Sequence, residues 1–187
     1  MKKIIFVLIL FLVYGGIAFA HAQEEGVKTE PRILIAYFSL SGNTRLIAQD
    51  IQSMIGGELI EIKAERTYGP DFDNAVEQAR EELRVQARPK LTATVSNMQD
   101  YDVIFVGFPN WVGTMPMAVF SFLEEYDFSG KTLIPFCTHG TSGISETVND
   151  FKKLTPHAVI GEYIDFFRND VKDAEIPLQN WLKNSGI

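Results

Sequence analysis

From Arg32 to the C-terminus, short apolar runs alternate with stretches of helical periodicity. This alternation predicts repeated strand and helix units built around a parallel sheet. Ile33–Phe38 is continuously apolar, as a strand covered on both faces must be. Thr44–Ile55 then sets Ile47, Ile51, Met54 and Ile55 on one helical face and ends at Gly56-Gly57. Leu59–Ile62 reads as a second strand. Phe72, Val76, Ala79 and Leu83 recur at helical spacing behind Asp71 and Asp73, either of which can cap, and Pro89 stops the segment. Val103–Phe108 predicts a third strand, Met117–Tyr126 the next helix and Leu133–Cys137 a fourth strand. Ile144, Val148, Phe151 and Leu154 supply another helical face, and a weaker strand falls within Ala158–Phe167. A last helix covers Leu178–Lys183, with Pro177 in or near its first turn, where proline is tolerated. Five strands with intervening helices predict an α/β fold with a doubly wound sheet, one domain over residues 32–187.

The N-terminus breaks this pattern. Lys2 and Lys3 precede an apolar run from Ile4 to Val13, and Ala18-Phe19-Ala20 has the small-residue form of a secretory cleavage site. Ala20-His21-Ala22 offers a second register, so the expected signal peptide is 1–20, with cleavage after Ala20 or Ala22. The apolar stretch is shorter than the ~20 residues that span a bilayer, which predicts export to the periplasm or beyond the cell rather than a stable anchor. Residues 21–31 read as a polar leader closed by Pro31.

Charge narrows the function further. The formal net charge is -7, and loss of Lys2 and Lys3 would take it to -9, the wrong sign for neutralising a phosphate backbone. Nucleic acid is therefore excluded as the expected partner. Cys137 stands alone, so neither a disulfide framework nor a multi-cysteine metal site is available, and no metal site is expected.

Ligands of doubly wound sheets bind beyond the carboxyl ends of the strands, which directs attention to three loops. The first reads SLSGNT. Ser39, Ser41 and Thr44 offer hydroxyls, Gly42 permits close backbone approach, and a helix start aims amide donors at an anion. Read without its position, SGNT is equally a polar turn with Asn43 or Ser41 as a helix cap. Neither a Walker phosphate loop nor G-x-G-x-x-G is present. The second loop, FPNWVGTMP, carries Trp111, which suits a flat ligand or packs on Met115 and Met117. The third, CTHGTSG, has two glycines around a Thr-Ser pair and contains His139, a candidate acid or base or a hydrogen-bonded structural residue. Together the loops describe a site for a phosphorylated flat heterocycle.

The segments YFS-x-SGNT, GFP-x-W-x-GTMP and PFCTHG-x-SG, in that order, resemble the flavodoxin family over Arg32 to about Trp181. The resemblance implies a five-stranded parallel sheet in the order 2-1-3-4-5 with noncovalent FMN at its switch point. On this chain it implies that Ser39, Ser41, Gly42, Asn43 and Thr44 hold the phosphate. Pro109, Asn110, Trp111 and Thr114 would line the isoalloxazine, with Thr138, His139, Gly140 and Gly143 at its other edge. Val112 stands where many relatives have a second aromatic, which implies a thinner platform for the ring.

The expected function is electron transfer through bound flavin, as an exported carrier that meets a redox partner protein or a quinone-like small molecule. The alternative is an FMN-dependent NAD(P)H:quinone-type oxidoreductase. A receiver domain shares the chain fold but needs acids where Tyr37-Phe38-Ser39 and Gly107-Phe108-Pro109 stand. A serine hydrolase built on Ser142 with His139 or His157 is a distant alternative, because G-T-S-G is not the G-x-S-x-G elbow.

Overall fold

A computed structural model describes residues 30–69, 71–144 and 146–187. The signal peptide and most of the polar leader expected from the sequence lie outside those residues. Among the described residues no helix is long and apolar enough to cross a membrane.

Every predicted element forms. The strands are β1 (Ile33–Tyr37), β2 (Glu58–Glu61), β3 (Val103–Pro109), β4 (Thr132–His139), β5 (Val159–Ile160) and β6 (Ile164–Phe167). The helices are α1 (Asn43–Ile55), α2 (Phe72–Arg84), α3 (Met117–Glu125), α4 (Thr147–Leu154) and α5 (Glu175–Asn184). All strand pairs are parallel, in the order β2-β1-β3-β4-β5, with β6 also on β4. This is the sheet order that the family resemblance implies.

The continuous apolar runs are explained by cover on both sides. Leu34, Ala36, Ile104, Val106 and Phe108 face α2, α3 and α4 through Ala75, Ala79, Met117 and Phe151. Their strand neighbours Ile35, Tyr37, Phe105, Ile134 and Phe136 face α1 and α5 through Ile47, Ile51, Leu178 and Trp181. Alternate residues point to opposite faces, so both sets must be apolar when both faces are buried. Asp71, one of the two candidates, caps α2 by accepting the Asn74 N–H at 2.9 Å.

The weak fifth strand is two short strands. Leu133 pairs with Ile160, but Phe136 pairs with Ile164, so one residue is inserted between the two registers. Pro135 provides the reason. The Leu133 carbonyl accepts the Gly161 N–H on the side of the fifth strand, and two residues on Pro135 faces the same side with no N–H to give. The neighbouring strand breaks opposite that gap, and α5 braces the break where the Trp181 indole donates to the Glu162 carbonyl at 3.0 Å.

Gly107 in β3 stands under the buried ring of Phe136, and a Cβ there would collide with the ring carbons. Gly107→Ala should therefore cost about 1–3 kcal/mol by overpacking. Thermal denaturation checks this, and Phe136→Leu added to Gly107→Ala should recover part of the loss; a melting temperature unchanged by the single substitution would contradict the packing.

Candidate functional site

The carboxyl ends of β1, β3 and β4 lie side by side, so the three loops that leave them meet at one edge of the sheet. The first loop is folded by its own serine. The Gly42 N–H donates to the Ser39 hydroxyl at 3.2 Å, and Gly42 takes the left-handed conformation, φ 91° and ψ -13°, at the N-cap of α1. No side chain caps this helix. Its opening N–H groups thus keep their donor capacity, and the helix dipole makes that end attractive to an anion. Ser41 is exposed and makes no hydrogen bond among the described residues, and Asn43 is half-buried as the first helical residue.

Thr44 is placed differently from an exposed phosphate hydroxyl. It is buried, and its oxygen lies 2.9 Å from that of Thr138, so the pair ties the base of the first loop to the base of the third. One hydroxyl hydrogen of the pair is used between them, and the other remains to be donated.

The second loop starts at Pro109, which pairs with Thr138 at the end of the sheet. Asn110 binds the third loop twice. Its N–H donates to the Thr138 carbonyl at 2.8 Å and its Nδ2 to the Gly143 carbonyl at 2.5 Å. Trp111 and Thr114 then close a tight turn with reciprocal backbone bonds of 2.8 and 3.1 Å. Val112 and Gly113, the central residues, have φ of 56° and 85°, as in a type I′ turn. The Thr114 hydroxyl donates to the Asp150 carboxylate of α4 at 2.8 Å.

Trp111 is only 7% exposed. Its ring packs edge-on against Phe38 at 5.5 Å and Tyr68 at 4.9 Å, and those two pack edge-on against each other. The tip of the loop is instead Val112, which is 44% exposed. Tyr68 donates to Glu82 at 2.6 Å, and burial, reinforced by that carboxylate, pushes its phenol well above the ordinary range.

In the third loop His139 ends β4 with its side chain 14% exposed. Its Nδ1 is buried with no hydrogen-bond partner, while Nε2 lies 3.7 Å from Oδ1 of Asp165. The other oxygen of Asp165 accepts the Ile144 N–H at 2.9 Å and so holds the far end of the loop. Gly143 has φ 62°, and a Cβ there would come within 3.1 Å of that oxygen. Gly140 faces open space. Burial, and then the Asp165 charge, push the Cys137 thiol far up, which leaves it an inert core residue. Ser142 has no hydrogen bond to either histidine among the described residues, and the His157 carbonyl accepts the Gly130 N–H at the amino end of the sheet. A hydrolase dyad is therefore not assembled.

All thirteen residues singled out in the three loops converge on this edge. Sequence reasoning missed Tyr68, Asp150 and Asp165, which support the loops from outside. Asp165 carried a signal, an acid inside the apolar run of a strand, and so did Tyr68, an aromatic directly before Gly69-Pro70. Asp150, on the polar side of a helix, carried none. The residues fit a phosphorylated flat cofactor on three counts: an uncapped helix start, open space beside Gly42, Gly113 and Gly140, and an unpartnered buried nitrogen on His139. Among the described residues no cluster of His, Cys, Asp or Glu could hold a metal.

A β-branched side chain at positive φ is strained, at about 1–2 kcal/mol. Val112→Asn should relieve part of that strain and raise stability by about 0.5–1 kcal/mol. Denaturant unfolding reads the change, and a variant no more stable than the parent would show that the turn does not hold residue 112 in this conformation.

Comparison with known proteins agrees with the geometry. The flavodoxin family model matches residues 32–185. Among solved structures, a candidate flavoprotein from Bacteroides eggerthii is 28% identical, with a TM-score of 0.75 over 84% of this chain and 99% of that one. One from Bacteroides uniformis is also 28% identical, with a TM-score of 0.73 over 82% of this chain and 98% of that one. A Lactobacillus acidophilus flavoprotein in complex with FMN, 22% identical, shares the fold with a TM-score of 0.67 over 82% of this chain and 99% of its own. No curated protein matches by sequence. The family match runs through every sheet position and all three loops, and the chain belongs to the flavodoxin family.

Proposed function

We propose that this chain binds FMN noncovalently at the three loops and works as an exported electron carrier. The observation that carries the reading is the start of α1, where left-handed Gly42 precedes a helix that no side chain caps. An anion there gains the helix dipole, typically worth about 0.3–1 kcal/mol at an exposed site, together with direct hydrogen bonds from the opening amides. The Lactobacillus acidophilus flavoprotein with the same fold was solved with FMN, which supports the choice of cofactor.

In this reading Ser39, Ser41, Gly42, Asn43 and Thr44 hold the phosphate. Pro109, Asn110, Trp111 and Thr114 flank the ring on one side, and Thr138, His139, Gly140 and Gly143 close the other. FMN, when bound, supplies one- and two-electron transfer at its ring. The chain's own residues hold the loops in register and exclude water. Asn110 and the Thr44–Thr138 pair fix loop spacing, the Trp111, Phe38 and Tyr68 layer seals the floor, and His139 Nδ1 is free for a polar edge of the cofactor.

Carrier is preferred to reductase on location and charge. Lys2-Lys3, the apolar run and Ala18-Phe19-Ala20 support export, away from the pool of reduced nicotinamide cofactors. A mature net charge of -9 repels an anionic dinucleotide and steers a basic protein partner. Electrons would then come from a redox protein or a quinone-like molecule.

Purified protein should release FMN on denaturation, and a colourless preparation that gains no flavin from solution would overturn the assignment. Ser41→Ala should weaken FMN about tenfold or more, since a hydroxyl bond to a charged oxygen is worth about 1.5–3 kcal/mol. Riboflavin affinity should hardly change; equal losses for both flavins would remove the phosphate from this loop. With NADH or NADPH and a soluble quinone, the FMN-loaded mature protein should turn over well below the usual enzyme range of about 1–1000 per second. Turnover inside that range would establish a reductase.

A further inference from the structure

Beside the first loop, and outside the second and third, a cavity of about 360 Å³ opens between the end of β1 and the chain leaving β2. That is within the size range of small-molecule sites, roughly 300–1000 Å³. Its walls are mostly apolar, formed by Phe38, Leu40, Ile62 and Tyr68. The hydroxyl of Tyr68 is taken by Glu82, which leaves the ring as what this residue offers an occupant.

The charges around it are unequally satisfied. Glu61 is held by Arg45 at 2.9 Å and by Lys63 at 3.0 Å. Glu65 is held by Lys90 at 2.5 Å. Arg66 also lines the cavity, and among the described residues it has no ion pair. Both lining carboxylates are thus neutralised by other cations, and one guanidinium remains in a protein whose net charge is -7. A guanidinium is a planar fork of donors that matches a carboxylate or sulfonate.

We propose that this cavity is a second ligand site, for a small aromatic acid whose flat apolar body lies among Phe38, Leu40, Ile62 and Tyr68 and whose anionic group meets Arg66. The site borders the flavin loops, sharing Ser39 and Leu40 with the first of them, but its anion partner Arg66 lies outside all three, and it uses neither the uncapped start of α1 nor the loops after β3 and β4. It also touches the flavin loops through one aromatic layer. Phe38 and Tyr68, two of its walls, are the rings on which Trp111 rests.

Naphthalene-2-carboxylate and its neutral amide, titrated calorimetrically into the purified protein with and without FMN, test the site. The acid should bind at least about tenfold more tightly than the amide, the effect of one charged hydrogen-bonded contact. Arg66→Gln should abolish that preference while leaving amide binding and FMN binding unchanged, and the exposed position of Arg66 makes the variant tolerable to the fold. Equal affinity for acid and amide, no binding of either, or a preference that survives Arg66→Gln would each overturn the proposal. So would displacement of the acid by FMN, which would put the probe in the three loops.

Discussion

Parallel pairing of β1, β3 and β4 is the constraint from which the site follows. Strands that run the same way must each be followed by a crossover, so their carboxyl ends, far apart in the chain, all open at one edge. Pairing of this kind is stable only when both faces are covered, and α1 with α5 on one side and α2, α3 and α4 on the other provide the cover. Order at the edge therefore depends on the core behind it, including the close fit of Phe136 over Gly107.

Alignment of the strands alone would leave three independent loops. Here polar groups bind them to one another, Thr44 to Thr138 and Asn110 to Thr138 and Gly143, and to the elements around them, Thr114 to Asp150 of α4 and Ile144 to Asp165 of β6. Each such bond contributes only about 1 kcal/mol net, but leaving any of these part-buried groups unmatched would cost more. The same bonds sort the donors. The Thr114 hydroxyl gives its hydrogen to Asp150, and the Thr44–Thr138 pair uses one of its two hydrogens internally, whereas Ser41 and the amides opening α1 keep all of theirs.

The second loop shows a division of labour between its aromatic and its tip. Burial of the Trp111 ring against Phe38 and Tyr68 gains far more than exposure would, with edge-on aromatic pairs adding about 0.5–1.5 kcal/mol each. The turn that achieves this forces Val112 to positive φ and into solvent, a local strain that the surrounding packing overcomes.

Much was determined by the sequence alone. The apolar runs Ile33–Phe38, Val103–Phe108 and Leu133–Cys137 encode strands buried on both faces, since only a doubly covered strand needs apolar residues at every position, and the loop segments between them carry their family's pattern in residue types that local chemistry demands. Gly42 is legible because the first turn requires a left-handed residue. What tertiary structure decided is which partner each polar or aromatic group meets. The break opposite Pro135, the inward turn of Trp111 onto Tyr68, and the support of the loops by Asp150 and Asp165 all arise between residues distant in the chain. Periodicity records which face of an element is buried, but the choice of hydrogen-bond and packing partners across elements is made only when the sheet has assembled.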